Sequence, residues 1–295
     1  MLRFLNTIYI IVALTISGFT STVTAEDPAP TIADPAPTTA SNVVKVCGGP
    51  AGLSYDTFVK NKLPPIKDVS YEHIQTQGGG ENLAKLRAGE CDVGIIVEPM
   101  IPEDGSVVSI APIFWSYGIL ICNKERTQGA NSLSALADLK RKPVIAIGGQ
   151  MSTSAFVFRH LGKLEPTFKI VDNNPQKSAF VTTFVGMTEA LPQVISGAYD
   201  CAFTASGLSF SFAKALDFEK SAKVLQMVDI KDKDLNDDGM FEFFEIDDNR
   251  FPNLLYWDVD TIRVKTFIAV NPLFMTKMPN AYGILAGSIP AMGDE

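Results

Sequence analysis

One acidic segment has the composition of a calcium-binding loop. Residues 234–245 read DLNDDGMFEFFE, which fits the pattern D-x-[DN]-x-[DN]-G-x5-E at every specified position. Calcium prefers carboxylate, amide and carbonyl oxygens. The pattern predicts a calcium ion with Gly239 at the sharp turn and with these ligands: Asp234, Asn236, Asp238, the carbonyl of Met240, Glu242 and Glu245.

The sequence around this loop favours a structural clip over a calcium sensor. The preceding residues VLQMVDI are typical of a strand, and Pro252 limits any helix that follows. The sequence contains no second loop of this kind with which it could pair. We therefore predict that calcium orders a connection between two strands; the alternative is a solvated acidic loop.

A second set of residues could bind a small anion. Gly48-Gly49, Gly78-Gly79-Gly80 and Gly148-Gly149 each lie where a predicted strand gives way to a helix, so that free N–H groups converge. Nearby hydroxyl and aromatic side chains could complete the site, with Trp115 or Tyr117 covering an apolar part of the ligand. The predicted ligand-binding residues are Gly49, Ser54, Tyr55, Gly79, Gly80, Trp115, Gln150, Ser152, Thr153, Ser154 and Thr204.

The alternative is that these residues are helix N-caps and tight-turn glycines. Glu81, directly after Gly78-Gly79-Gly80, is expected to cap its helix rather than contact a ligand.

Catalysis has little support in the sequence. The chain has two histidines: His73 falls within a predicted strand, and His160 follows Arg159 near a helix end. Neither a nucleophile elbow nor a paired-carboxylate arrangement is present. We predict that the protein is not an enzyme; the alternative is lyase or deaminase chemistry in the same cleft.

The first 42 residues predict export. Residues 1–25 combine one basic residue, an apolar stretch and Val23-Thr24-Ala25, as in a cleaved signal peptide. The alternative is a retained membrane anchor. Residues 26–42, EDPAPTIADPAPTTASN, predict a disordered linker. The mature protein is expected in the periplasm and not embedded in a membrane.

Charge restricts the possible partners. The formal net charge is -8, and no run of Lys and Arg is longer than Lys140-Arg141-Lys142. Nucleic acid and anionic membrane surfaces are therefore poor partners for this chain.

The organisation of the chain repeats. VVKVCGGPAGLSYDTFVKNKL and PVIAIGGQMSTSAFVFRHL both run from a β-branched segment through Gly-Gly into a helix. ENLAKLRAGECDVGII and TEALPQVISGAYDCAFT both run from a helix through glycine and aspartate into a buried strand. The pairs Gly89–Asp92 and Gly197–Asp200 stand 108 positions apart. The sequence thus predicts two α/β lobes of one design, with parallel strands.

Further elements are expected between and after these segments. A helix is predicted over Pro279–Ser288, and additional strands are predicted at 71–76, 106–114, 117–122, 168–172, 224–230 and 261–270.

Four segments together resemble a known family. CGGPAGLSY, TQGGGENLAKLRAGECDVGIIVEP, DLKRKPVIAIGGQMSTSA and TIRVKTFIAVNPLF are similar, in order, to the periplasmic solute receptors of TRAP transporters, TAXI type. The resemblance implies a two-lobed, type II periplasmic-binding-protein fold of the venus-flytrap kind with two crossovers. Lobe 1 would comprise 43–115 plus 259–295, and lobe 2 would comprise 116–258. The first glycine segment is less glycine-rich than is usual in the family, and the C-terminal helical part is short.

The resemblance also implies a function. The protein would capture a small, carboxylate-bearing solute and deliver it to membrane transporter subunits. A sensor subunit that presents its closed form to a membrane receptor is the alternative from another class.

The four cysteines are expected to form disulfides in an oxidising compartment; the alternative is four buried free thiols. In the fold class that the resemblance implies, Cys122 lies on a crossover strand antiparallel to the strand that Cys201 begins, which favours a Cys122–Cys201 bond. Cys47 ends its predicted strand and Cys91 begins the next. In adjacent parallel strands these two would lie about 13 Å apart, so a Cys47–Cys91 bond is not expected.

Overall fold

The computed structural model describes residues 42–168, 170, 176–208, 221, 223–237, 239–251, 258–289 and 292. The predicted signal peptide, and the predicted linker except Asn42, lie outside these residues. None of the described helices combines the length and apolar composition that a membrane crossing requires.

Lobe 1 is built on three parallel strands in the order β2-β1-β3. All five residues of VGIIV in the third strand are buried, because that strand has neighbours on both sides and is covered on both faces. The elements are β1 (Val43–Cys47), α1 (Ser54–Asn61), β2 (Ser70–Ile74), α2 (Gly79–Ala88) and β3 (Val93–Val97).

Lobe 2 repeats this arrangement, as the sequence predicts. Its three parallel strands follow the order β6-β5-β7, and a helix precedes both the second and the third strand along the chain. The elements are β5 (Val144–Ala146), α4 (Thr153–Leu164), β6 (Val181–Thr183), α5 (Met187–Ile195) and β7 (Cys201–Ser206).

Two long antiparallel strands connect the lobes: β4 (Val108–Asn123) and β10 (Val259–Val270). β4 pairs with β10 over its first part and with β7 from Tyr117 to Cys122. β10 pairs with β3 near its end. The sequence predicts two strands where β4 is one, because Pro112 and the polar Ser116 interrupt its apolar pattern without ending the ladder.

The remaining described elements lie around this frame. A strand at 168–172 was also predicted, but Phe168 ends a 3-10 helix and most of the rest lies outside the described residues. The predicted C-terminal helix is confirmed as α7. The elements around the frame are α3 (Leu133–Ala137), β8 (Leu225–Val228), β9 (Glu242–Ile246), α6 (Pro272–Lys277) and α7 (Pro279–Ser288).

The repeated glycine–aspartate pairs have one structural role in both lobes. Gly89 and Gly197 follow α2 and α5 with φ of 70° and 79°, a conformation that favours glycine. The carboxylate of Asp92 then accepts the N–H of Lys45 at 2.8 Å, and that of Asp200 accepts the N–H of Val144 at 2.6 Å. Each aspartate therefore ties the start of the third strand in its lobe to the first.

Both pairs of cysteines form disulfides. The predicted Cys122–Cys201 bond is confirmed, and the two residues lie directly opposite each other in β4 and β7. The exclusion of Cys47–Cys91 is wrong: the two Cα atoms lie 5.9 Å apart and the residues are bonded. The 13 Å separation assumed that Cys91 begins an extended strand. β3 begins at Val93, and Cys91 lies in the preceding turn, where ladder spacing does not apply.

Asp200 generates a stability prediction. Burial alone raises the pKa of this carboxyl, but hydrogen bonds from Arg141, Val144 and Arg126 outweigh burial and hold the pKa below its ordinary value. Asp200→Asn is expected to lower the free energy of unfolding by about 2–3 kcal/mol at pH 7, measured by urea unfolding.

Asp92→Asn is the matched control from the other lobe. Asp92 is partly exposed and its carboxylate accepts one hydrogen bond among the described residues, so a loss of about 1 kcal/mol is expected. Because the folded-state pKa of Asp200 is depressed, its contribution is present above an unfolded pKa of about 3.9 and is lost as pH falls through the folded value. Equal losses in the two variants, or an Asp200 effect that does not shrink in acid, would contradict this role.

Candidate functional site

A cavity of about 70 Å³ lies between the lobes. Four helices begin at it: α1 and α2 from lobe 1, and α4 and α5 from lobe 2. Space of this size holds about five water molecules or a solute of similar size. The geometry matches the convergence of helix N-termini that the glycine segments predict.

Six of the predicted ligand-binding residues line this cavity. Ser54 and Tyr55 come from the start of α1, and Thr204 comes from β7. The others form the start of α4 and are consecutive in the chain: Ser152, Thr153 and Ser154. Their contact with a ligand stays a prediction.

The predicted glycines of lobe 1 lie next to the cavity and shape its walls. Gly79 donates its N–H to the hydroxyl of Thr153 at 3.0 Å. A Cβ added at Gly80 would lie 2.7 Å from the carbonyl oxygen of Met151, and one at Gly49 would lie 3.0 Å from Tyr55 Cβ. Because glycine has no Cβ, the backbone at these positions can lie close to the neighbouring Met151 and Tyr55.

Gln150 and Trp115 are not among the lining residues. The carbonyl of Gln150 accepts a hydrogen bond from Arg159 at 3.3 Å. Trp115 is buried on β4, with the guanidinium carbon of Arg263 4.1 Å from its ring centroid. A cationic side chain thus covers the indole ring that was expected to cover a ligand.

Sequence reasoning missed several lining residues. Gly186 and Met187 begin α5 at the cavity, and Gly186 stands 108 positions after Gly78, the separation already seen for Gly89 and Gly197. The internal repeat was therefore a signal that could have found them. Gln77 and Ser206 carry no comparable signal, because their place at the cavity depends on how the lobes meet.

The helices at the cavity differ in their capping. Ser152 caps α4, with its hydroxyl accepting the N–H of Ala155 at 3.0 Å. α1, α2 and α5 have no side-chain cap at their N-cap residues Leu53, Gly78 and Gly186. At α2, the N–H groups of Gly79 and Glu81 are already bonded to the hydroxyl of Thr153 and the carbonyl of Met151. The first N–H groups of α1 and α5 therefore give this end of the cleft a positive potential. Glu81 bonds the N–H of Gln77 at 2.9 Å, a backbone capping contact of the kind expected for it.

The lobes are closed over the cavity by direct hydrogen bonds. Ser54 of lobe 1 bonds the hydroxyl of Ser206 at 2.7 Å and accepts the N–H of Gly207 at 3.0 Å. On the other side, the N–H of Glu81 donates to the carbonyl of Met151 at 3.1 Å. Closure therefore pairs polar groups that an open cleft would leave to water.

Tyr55 links this closure to the connecting strands. Its hydroxyl accepts a hydrogen bond from Thr153 of lobe 2 at 3.0 Å. Burial raises the pKa of Tyr55 despite hydrogen bonding with Thr153, Ser116 and Thr266, so the phenol is neutral at physiological pH. Ser116 on β4 and Thr266 on β10 bond each other at 2.8 Å.

The described part of the predicted calcium loop is only partly loop-like. Gly239 has φ of 70°, as a sharp turn requires, and Met240 follows it. Asn236 ends a 3-10 helix, Asp238 lies outside the described residues, and so does the side chain of Asp234. Glu242 and Glu245 lie in β9, where strand alternation puts them on opposite faces, and Glu242 accepts a hydrogen bond from Arg263 at 3.1 Å. Calcium binding stays a prediction.

Comparison with solved structures agrees with the topology. The reduced regulatory domain of OxyR2 from Vibrio vulnificus has a TM-score of 0.50 at 13% identity, covering 85% of this chain and 95% of that one. The substrate binding protein of an amino acid ABC transporter has a TM-score of 0.48 at 12% identity, covering 83% and 94%. The bromide-bound regulatory domain of HypT from Salmonella typhimurium has a TM-score of 0.44 at 14% identity, and the match covers 86% of this chain and 100% of that one.

The strand order and the similarity to the OxyR2 domain decide the fold. The chain has the two-lobed type II periplasmic-binding-protein fold. Identities this low establish the fold alone. No family model and no curated protein matches the sequence.

The close approach at Gly80 can be tested by adding one methyl group. Gly80→Ala is expected to raise the free energy of unfolding by up to about 1 kcal/mol through helix propensity, yet to prevent closure, because its Cβ would meet the Met151 carbonyl. Small-angle scattering should show a larger radius of gyration than for the unsubstituted protein. Gly283→Ala in α7, where nothing lies within 4 Å, is the matched control and should leave the radius unchanged. A closed Gly80→Ala protein would contradict the steric role.

The calcium prediction is tested by melting with excess calcium and with a chelator. Calcium at about a hundredfold above its dissociation constant should add about 2.7 kcal/mol of stability, which Asp234→Ala combined with Glu245→Gln should abolish. Asp237→Asn is the control, since Asp237 is an exposed acidic residue of the same segment that is not among the predicted ligands, and its loss should leave the calcium effect intact. No calcium-dependent rise in the unsubstituted protein would exclude the clip.

Proposed function

We propose that this protein is a periplasmic receptor that captures a small anionic solute between its lobes and delivers it to a membrane transporter. The observation that carries the proposal is the closed cavity at which four helices begin. Its walls come from both lobes, so a solute there contacts both and favours the closed form. Ligands of open α/β sheets bind at such carboxyl ends of strands.

The charge preference follows from the helix ends. α1 and α5 lack a side-chain cap, and their first N–H groups carry partial positive charge. An anion satisfies these groups without any cationic side chain. The hydroxyls of Ser152 and Ser154 add polar contacts from lobe 2.

Closure is the step that couples binding to delivery. A solute that binds the closed form more tightly shifts the population of lobes toward it. The transporter then recognises the surface that closure creates. The motifs quoted above support a TRAP transporter with a receptor of the TAXI type, and a calcium ion in residues 234–245 is part of the same proposal.

Binding without turnover is also part of the proposal. His73 and His160 are not among the lining residues. The hydroxyl of Thr153 is engaged by Gly79 and Tyr55 rather than by a general base. Export by a cleaved signal peptide agrees with two disulfides, which form in oxidising compartments.

The experiment begins with native mass spectrometry of the protein purified without refolding, to identify a copurified solute. Calorimetry with that solute then compares Thr153→Val with the unsubstituted protein. Loss of the Thr153 hydroxyl should weaken binding at least about tenfold, because the N–H of Gly79 and the hydroxyl of Tyr55 lose their partner.

Thr276→Val, at an exposed position of α6 away from the cavity, is the matched control and should bind as the unsubstituted protein does. Unchanged affinity of Thr153→Val would place the binding site elsewhere. Conversion of the solute during the experiment would favour an enzyme.

A further inference from the structure

The hydroxyl groups of the cavity share one bonding pattern. Four of them each accept a backbone N–H at 3.0 Å: Ser54 from Gly207, Ser152 from Ala155, Thr153 from Gly79, and Ser154 from Ala205. A hydroxyl that accepts in this way still has a proton that requires an acceptor. The backbone thus orients these side chains as donors.

Some of these protons have acceptors within the protein and others do not. Thr153 donates to Tyr55. The hydroxyls of Ser54 and Ser206 share one hydrogen bond, so one proton of that pair remains. Ser154 and Thr204 share a long contact of 3.4 Å in the same way. Together with Ser152, they leave three hydroxyl protons for a ligand, counted over the described residues.

The cavity offers no charged partner to a cation. None of the lining residues in the described part of the chain is Asp, Glu, Lys, Arg or His. Asp56 follows Tyr55 in α1 but is not among the lining residues. Its Oδ2 accepts from Gly52 and Lys60 at 2.8 Å each, and its Oδ1 lies 3.6 Å from Nδ1 of His73. An ammonium group entering this cavity would lose its water without gaining a counter-charge, which is strongly unfavourable.

The cavity also has apolar lining residues. Leu53, Met187 and Phe203 are among them, and they suit a short hydrocarbon segment. With space for about five waters, the ligand has few atoms beyond its polar head.

We infer that the cleft selects short-chain carboxylates that lack an amino group, such as propanoate or a 2-oxo acid, and rejects the α-amino acid of the same skeleton. The inference rests on the proposed receptor function. A carboxylate is an acceptor-only group, which matches the three donors and the uncapped helix ends. The missing counter-charge accounts for the rejection of an ammonium.

The test is calorimetry of the purified protein with four probes of similar size: propanoate, pyruvate, L-alanine and propanamide. Propanoate or pyruvate should bind, and alanine should bind at least about 100-fold more weakly because of its unpaired ammonium. Propanamide reports whether the negative charge is needed and should also bind at least about tenfold more weakly.

A variant pair tests the charge preference without threatening the fold. Leu53 is the N-cap of α1 and is partly exposed, a position at which Asp or Asn is favourable. Leu53→Asp puts a negative charge at the cavity and should weaken carboxylate binding at least about 100-fold relative to Leu53→Asn, its neutral counterpart. Equal affinities of the two variants would overturn the inference.

The remaining outcomes separate this inference from the receptor function. Alanine binding as tightly as propanoate, or a copurified amino acid or sugar with none of the carboxylates bound, would overturn the ligand class and leave a receptor. Absence of any copurified solute together with no binding of all four probes would overturn both.

Discussion

Backbone meets backbone where the two lobes touch. The N–H of Glu81 at the start of α2 donates to the carbonyl of Met151 just before α4, and the N–H of Gly79 donates to the Thr153 hydroxyl. This approach is possible only because Gly79 and Gly80 lack a Cβ, which would lie 2.7 Å from the opposite lobe in each case. The cavity, its donors and the closed form all depend on that contact.

The two disulfides hold strands together within each lobe and leave the orientation of one lobe relative to the other free to change. The Cys47–Cys91 bond lies within lobe 1, and the Cys122–Cys201 bond joins β4 to β7 within lobe 2. Neither crosses the cleft. The lobes are joined through β4 and β10, where the Ser116–Thr266 hydrogen bond lies beside the Tyr55 hydroxyl. Loss of cleft contacts therefore leaves the disulfide of each lobe in place.

Much of this architecture follows from local sequence signals. The glycine–aspartate repeat predicts two similar lobes, because a positive φ and a strand-capping carboxylate are needed at the same place in each. Contacts between lobes are harder to predict, since they depend on relative placement. In the sequence, Ser206 is an ordinary strand residue, and only the structure shows its hydrogen bond to Ser54 of the other lobe. The position of Arg263 over the Trp115 ring likewise depends on the fold and has no signal in the sequence. Cys91 was misplaced because a turn was treated as a strand.

The central claim is that the cleft closes around a small solute, and amide hydrogen exchange at the contact measures this directly. The amides of Gly79 and Glu81 are bonded across the cleft, whereas the amide of Gly89 bonds Leu86 within lobe 1. The account predicts that protection of Gly79 and Glu81 rises with solute concentration along the binding isotherm, while Gly89 does not change. Saturation with a bound solute that leaves exchange at Gly79 and Glu81 unaltered would contradict it.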